Sequence, residues 1–142
     1  MAEMRKKGEE EPHDKAVAEI AKVEFPYPNK SYPNRKTYAN HPERNMPVKK
    51  NEELVYPDIV VVDTEKEKPE MIGEVETAST VSEDHAVQWK EFSSLHTFFL
   101  YIPKNYASEV RRILNSMRIL LAYSAVRAYE FDTQGKIVIS IA

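Results

Sequence analysis

The sequence predicts an α/β fold, a mixed central β-sheet flanked by helices. Three observations carry this. Short apolar runs such as Ile59–Val62 and the stretch TFFLYI at Thr97–Ile102 are bounded by turn residues, as buried strands are. Between them lie segments whose apolar residues recur at helical spacing. Strands and helices alternate along the chain, the pattern of layered α/β architectures. The 142 residues suit a single domain, and one of this size buries roughly two-thirds of its unfolded surface.

Taken in order, residues 1–12 are polar and carry Glu9-Glu10-Glu11 before Pro12, which reads as a disordered tail. The domain is then expected over residues 13–142. Asp14 caps a short helix from Lys15 to about Lys22, with Ala16, Val17, Ile20 and Ala21 on one stripe. Residues 25–50 hold five of the nine prolines together with Tyr27, Tyr32 and Tyr38. Proline fixes φ and donates no amide, so this segment reads as a strap, neither helix nor central strand.

Leu54–Asp63 reads as a central strand, and Thr64–Pro69 as a charged turn into a second, antiparallel strand at Glu70–Thr77. Thr80-x-x-Glu83 matches a capping box that opens a helix to about Leu95, with His85, Gln88, Trp89, Phe92 and Leu95 on one stripe. Thr97–Ile102 is a third strand. Asn105 or Ser108 caps a helix to about Met117, with Arg111 and Arg112 facing outward. A short strand is expected near Ile119–Tyr123. A closing hairpin follows from Ala125–Phe131 and Lys136–Ile141 around Asp132–Gly135.

Composition narrows the chemistry. Without cysteine there is no disulfide, thiolate zinc site or cysteine nucleophile. Three glycines cannot build a phosphate-cradling loop, no G-x-S-x-G turn occurs, and no two of the four histidines have H-x-x-x-H spacing. No apolar run approaches the roughly 20 residues of a membrane span, and the charged N-terminus lacks a signal-peptide core, so a cytoplasmic protein without membrane association is expected. The net charge of -3 hides a split. Lys30, Arg35, Lys36, Arg44, Lys49 and Lys50 face a single acid, Glu43, within residues 26–50, whereas residues 51–142 are acidic overall. Cations interleaved with tyrosines suit a nucleic-acid backbone and its bases.

The remaining candidates are carboxylates. Glu74 and Glu76 lie two apart on a strand and share a face. Asp58 sits on the neighbouring strand if the hairpin closes. Carboxylates flanked by Ile59–Val62, Ile72 and Val75 repel one another when ionised, and a divalent cation such as Mg²⁺ or Mn²⁺ relieves that.

Pro57-Asp58, a spacer, then Glu74-Val75-Glu76 resembles the signature of the PD-(D/E)XK nucleases, whose fold is restriction-endonuclease-like. Gln88 and Phe92 on the next helix resemble that family's glutamine-bearing helix, and the stretch from Ile72 to Lys104 is similar to a widespread group of prokaryotic proteins of this fold. The resemblance covers about residues 54–105. It implies Asp58 and Glu74 as metal-binding acids, the Val75 carbonyl as a further ligand, and Glu19 as an extra metal-site glutamate. The family's usual lysine is replaced here by Glu76. In this E-x-E version Glu76 would act as general base or second-metal ligand; otherwise Lys90, Lys49 or Lys50 supplies the cation, or catalysis has been lost. The function implied is Mg²⁺- or Mn²⁺-dependent hydrolysis of DNA, less readily RNA, with substrate held by Lys30, Arg35, Lys36, Lys49 and Lys50 and with room for a homodimer. The alternatives are a catalytically silent nucleic-acid- or protein-binding module of the same fold, and a structural subunit.

Overall fold

The computed structural model describes residues 8–142. Most of the expected N-terminal tail, residues 1–7, lies outside the described residues, but its last part does not. Helix α1 spans Glu10–Glu24, beginning five residues earlier than the sequence suggested. The run Glu10-Glu11-Pro12 is its first turn. Acids there meet the positive end of the helix dipole, and proline is tolerated where no amide partner exists. The buried stripe is His13, Ala16, Val17 and Ile20.

Five strands expected or unexpected precede the second helix: β1 (Arg35–Ala39), β2 (Val48–Lys50), β3 (Glu53–Val55), β4 (Ile59–Asp63) and β5 (Lys68–Val75). Then come α2 (Glu83–Leu95), β6 (Thr97–Pro103), α3 (Ala107–Ser116), β7 (Val126–Phe131) and β8 (Ile137–Ile141). Six strands form one mixed sheet in the order β1-β4-β5-β6-β7-β8, and β2 with β3 makes a separate small hairpin. The β4/β5 pair is antiparallel, closed by the turn at Asp63, whose Oδ1 accepts from the Glu65 and Lys66 amides at 2.9 and 3.0 Å. The β5/β6 and β6/β7 pairs are parallel, with α2 and α3 as the crossovers that parallel pairing demands.

The helices take opposite faces of the sheet. Against α1 lie Ile59, Val61, Val75, Tyr101 and Tyr129, with Phe25 closing the end. Against α2 and α3 lie Val60, Val62, Ile72, Leu100, Ile102 and Val126, packed on Trp89, Phe92, Val110 and Ile113. Alternate residues of β4 thus feed two cores, which is why Ile59–Val62 is apolar without interruption. No helix of the described residues is long and apolar enough to cross a membrane.

Several boundaries differ from the sequence reading. The strap contains an edge strand, β1, in the proline-free stretch between Pro33 and Pro42. The expected strand Leu54–Asp63 divides at Tyr56-Pro57-Asp58, because Pro57 has no amide for a ladder. Ser82, accepting from the His85 amide, caps α2, while Thr77 and Thr80 form a capping box on the short 3₁₀ turn before it. Residues 119–123 make no strand; a 3₁₀ turn spans Tyr123–Ala125 and Leu120 is 94% exposed. The closing hairpin forms as expected, with Gly135 at φ +79° in its turn.

Candidate metal centre

The β4/β5 ladder ends at the pair Ile59↔Gly73. Beyond it the two strands fork, and the Val75 peptide finds its partners in side chains. Its N–H donates to Asp58 Oδ2 at 2.8 Å, and its carbonyl accepts from His13 Nε2 at 3.0 Å. Glu74 reaches across the fork, where its Oε1 accepts from the Asp58 amide at 3.1 Å. Asp58 and Glu74 are therefore brought together, as the hairpin implied, and both are buried.

Two histidines from elsewhere complete the fork. His13, wholly buried on α1, places Nε2 3.4 Å from Asp58 Oδ2. His41, just past the end of β1, places Nε2 2.9 Å from Asp58 Oδ1. The two rings meet edge to face with centroids 4.5 Å apart. Burial alone would raise the Asp58 pKa, but hydrogen bonds from His13 and His41 and the attraction of both rings outweigh it. The Asp58 carboxyl is held well below the ordinary carboxylate range. It is a firm anion, with both oxygens engaged.

Asn40 fixes the geometry. Its amide donates to the Asp58 carbonyl at 2.9 Å, and its Nδ2 donates to the carbonyls of Pro57 (2.7 Å) and Met46 (2.8 Å). Its Oδ1 accepts from the amides of Asn45 and Met46. One buried side chain thereby ties the Pro57-Asp58 corner to the loop that carries His41.

Glu76 is turned elsewhere. It shares the α2 face of β5 with Ile72 and is completely buried. Its Oε2 accepts from Trp89 Nε1 at 3.2 Å and lies 3.1 Å from His85 Nδ1, while its Oε1 has no hydrogen-bond partner. Asp58 meets His13 and His41, whereas Glu76 meets Trp89 and His85 of α2, so these two carboxylates have separate partners. The side chains that meet Glu76 from α2 are His85 and Trp89; Gln88 is half-buried and Lys90 exposed. Trp89 and Phe92 are core.

Glu19 is half-buried on α1, six residues beyond His13 and so about 9 Å further along the axis. The acids and histidines that do gather are Glu10, His13, Asp14 and His41, each offering a ligand atom within 4.8 Å of the others. Among the described residues this cluster could hold a metal ion. The sequence reading joined none of them, with Glu10 in the expected tail, His13 ahead of the expected helix, Asp14 its cap and His41 in the strap. The signal that could have linked three of them is the i, i+3, i+4 spacing of Glu10, His13 and Asp14.

The strap cations divide. Arg35 Nε donates to Glu70 Oε2 at 2.8 Å, and its guanidinium stacks 3.9 Å from the Tyr32 ring centre. Lys50 pairs with Glu91 on α2. Lys36 lies over Tyr38, and Lys30 and Lys49 are exposed. Arg35 and Lys50 thus fasten the strap to the sheet and α2, and Lys30, Lys36 and Lys49 face outward. No family model matches this chain, and comparison with curated proteins and with solved structures finds none similar to it.

Proposed function

We propose that this protein is a metal-dependent nuclease hydrolysing phosphodiester bonds in DNA, less readily in RNA, at the fork between β4 and β5. The observation that carries the reading is the meeting of Asp58 and Glu74 beside the Val75 peptide. Hydrogen bonds of 2.8–3.1 Å from the Val75 N–H to Asp58 and from the Asp58 N–H to Glu74 hold both carboxylates at this corner of the sheet, and oxygen donors of this kind suit a hard divalent cation. Asp58, Glu74 and the Val75 carbonyl would hold Mg²⁺ or Mn²⁺. Such an ion supplies an acidified water and a counter-charge for the phosphorane-like transition state. Asp58 stays anionic through its contacts with His13 and His41, and Asn40 keeps it on station. Lys30, Lys36 and Lys49 would take the phosphate backbone, and two copies would be needed to cut both strands.

A second reading is a catalytically silent nucleic-acid- or protein-binding module. It is favoured by Glu76, which stands in place of the motif lysine and is sealed beneath His85 and Trp89. The deciding experiment offers plasmid, single-stranded DNA and RNA to the full chain with Mg²⁺ or Mn²⁺. The nuclease reading expects metal-dependent cleavage that disappears in both Asp58→Ala and Glu74→Gln. Intact substrates throughout, with binding that persists under chelator and falls with salt, transfer the case to the binding module. Cleavage that survives both substitutions removes the fork from the mechanism.

A further inference from the structure

We propose that Glu10, His13, Asp14 and His41 form a transition-metal site of mixed imidazole and carboxylate donors, on the far side of the two rings from the fork. It does not rest on the nuclease reading.

The case begins with the ring protons. The Val75 carbonyl can only accept, so His13 Nε2, 3.0 Å away, carries a hydrogen. Asp58 Oδ1 is a carboxylate oxygen 2.9 Å from His41 Nε2, so that nitrogen also carries one. A bound metal ion displaces any proton from the opposite nitrogen, which then presents a lone pair. His13 Nδ1 is buried and has no hydrogen-bond partner, and neither has the buried Asp14 Oδ1. These two atoms face one another at 4.0 Å, and His41 Nδ1 stands 3.6 Å from the same Asp14 oxygen. Both distances exceed a hydrogen bond, which would draw donor and acceptor to about 2.9 Å. The shorter, 3.6 Å, approaches the edge of a tetrahedron around zinc, about 3.3 Å for bonds near 2.05 Å, and the longer would have to close by a few tenths of an ångström on binding. Glu10, one turn before His13 and Asp14, supplies the fourth ligand atom within the same 4.8 Å.

The surroundings match what ligating histidines require. Each ring gives its remote N–H to an acceptor, His13 to the Val75 carbonyl and His41 to Asp58, which sets the tautomer and aims Nδ1. Asp58 and Val75 thereby orient the rings rather than ligate this ion. Two imidazoles with two carboxylates suit Zn²⁺ or a neighbouring transition ion better than Mg²⁺, which favours oxygen alone. His13 is fully buried, whereas the side chains of Asp14 and His41 keep 29% and 28% of their exposure, giving an ion a way in. The bound ion would stitch the first turn of α1 to the corner after β1.

The test titrates the chelator-stripped full chain with Zn²⁺ by calorimetry, and with Co²⁺ by visible absorption. This site should take one equivalent that persists in Glu74→Gln, with a ligand-field band for cobalt and a raised melting temperature for zinc. Asp14→Asn and His41→Gln, both at partly exposed positions and checked for folding by circular dichroism, should abolish uptake. Asp58→Asn should weaken it roughly 10–100-fold, as loss of an orienting partner does. Glu74→Gln should leave it unchanged. No uptake by the wild type, uptake undiminished in both Asp14→Asn and His41→Gln, or uptake lost in Glu74→Gln overturns the proposal. DNA cleavage is not the readout, so this site and the fork succeed or fail separately.

Discussion

Replacing Glu76 by lysine would give the chain the residue that the resembled nucleases carry at this motif position, and it should damage the protein rather than activate it. Glu76 is completely buried, and its Oε2 is the acceptor for the Trp89 indole N–H. Lysine offers no acceptor, so that N–H is orphaned at a cost of about 1–3 kcal/mol. The ammonium would lie beside His85 with no carboxylate against it, and a buried charge lacking its partner costs about 3–5 kcal/mol. The combined loss, roughly 4–8 kcal/mol, rivals the whole stability of a typical domain, about 5–15 kcal/mol. At about 2–4 °C per kcal/mol, the melting temperature should fall by at least roughly 10 °C. Glu76→Gln keeps an acceptor for the indole and should stay within about 1 kcal/mol of the wild type. Urea unfolding followed by the fluorescence of Trp89, the only tryptophan, measures both directly. If Glu76→Lys unfolds at the wild-type midpoint, or gains metal-dependent cleavage, the picture of a sealed Glu76 is wrong.

Arg35→Ala removes the Glu70 ion pair and the stacking on Tyr32, so it should cost about 1–2 kcal/mol and speed proteolysis within residues 26–34. Burial lowers the His96 pKa, so the unfolded chain takes up its proton first as pH falls through about 6.5, and stability declines from there toward the folded-state pKa. His96→Gln should flatten that part of the stability–pH curve in denaturant titrations, and an unaltered curve would absolve His96. If Lys30 and Lys49 grip DNA, replacing both with alanine should weaken binding across all sequences and reduce the log–log salt slope by about 0.9 per lost phosphate contact. Fluorescence anisotropy over a salt series reads this, and an unchanged slope would remove the strap from the interface.

The layering was legible because each core strand announces itself twice, by an apolar run and by a turn that ends it. Ile59–Val62 is continuous since β4 has covered neighbours on both faces, and the parallel strands β5, β6 and β7 follow from the two helices between them. Ends were less legible where one residue serves two roles. Glu10-Glu11-Pro12 has the composition of a tail, yet negative charge and a missing amide are also what a first helical turn accommodates. Residues 119–123 are as apolar as a strand but find no neighbour in the six-stranded sheet, and leave Leu120 in solvent.

The site was half legible for a related reason. Asp58 and Glu74 could be paired because the turn at 64–67 fixes the register of β4 on β5. His13 and His41 stand 28 positions apart, and no local spacing links them. Two misread boundaries hid them. A helix opening at Lys15 leaves His13 outside, whereas one opening at Glu10 places His13 on the buried stripe with Ala16, Val17 and Ile20. A strap without strands leaves His41 unplaced, whereas the pairing Ala39↔Ile59 sets Asn40 opposite Asp58 and its amide on the Asp58 carbonyl. With that register given, the residue after Asn40 leaves the sheet where Asp58 enters it, so His41 must arrive beside the carboxylate. The edge strand β1, formed in the segment with most of the prolines, is therefore what turns an acidic hairpin into a centre that also carries imidazoles.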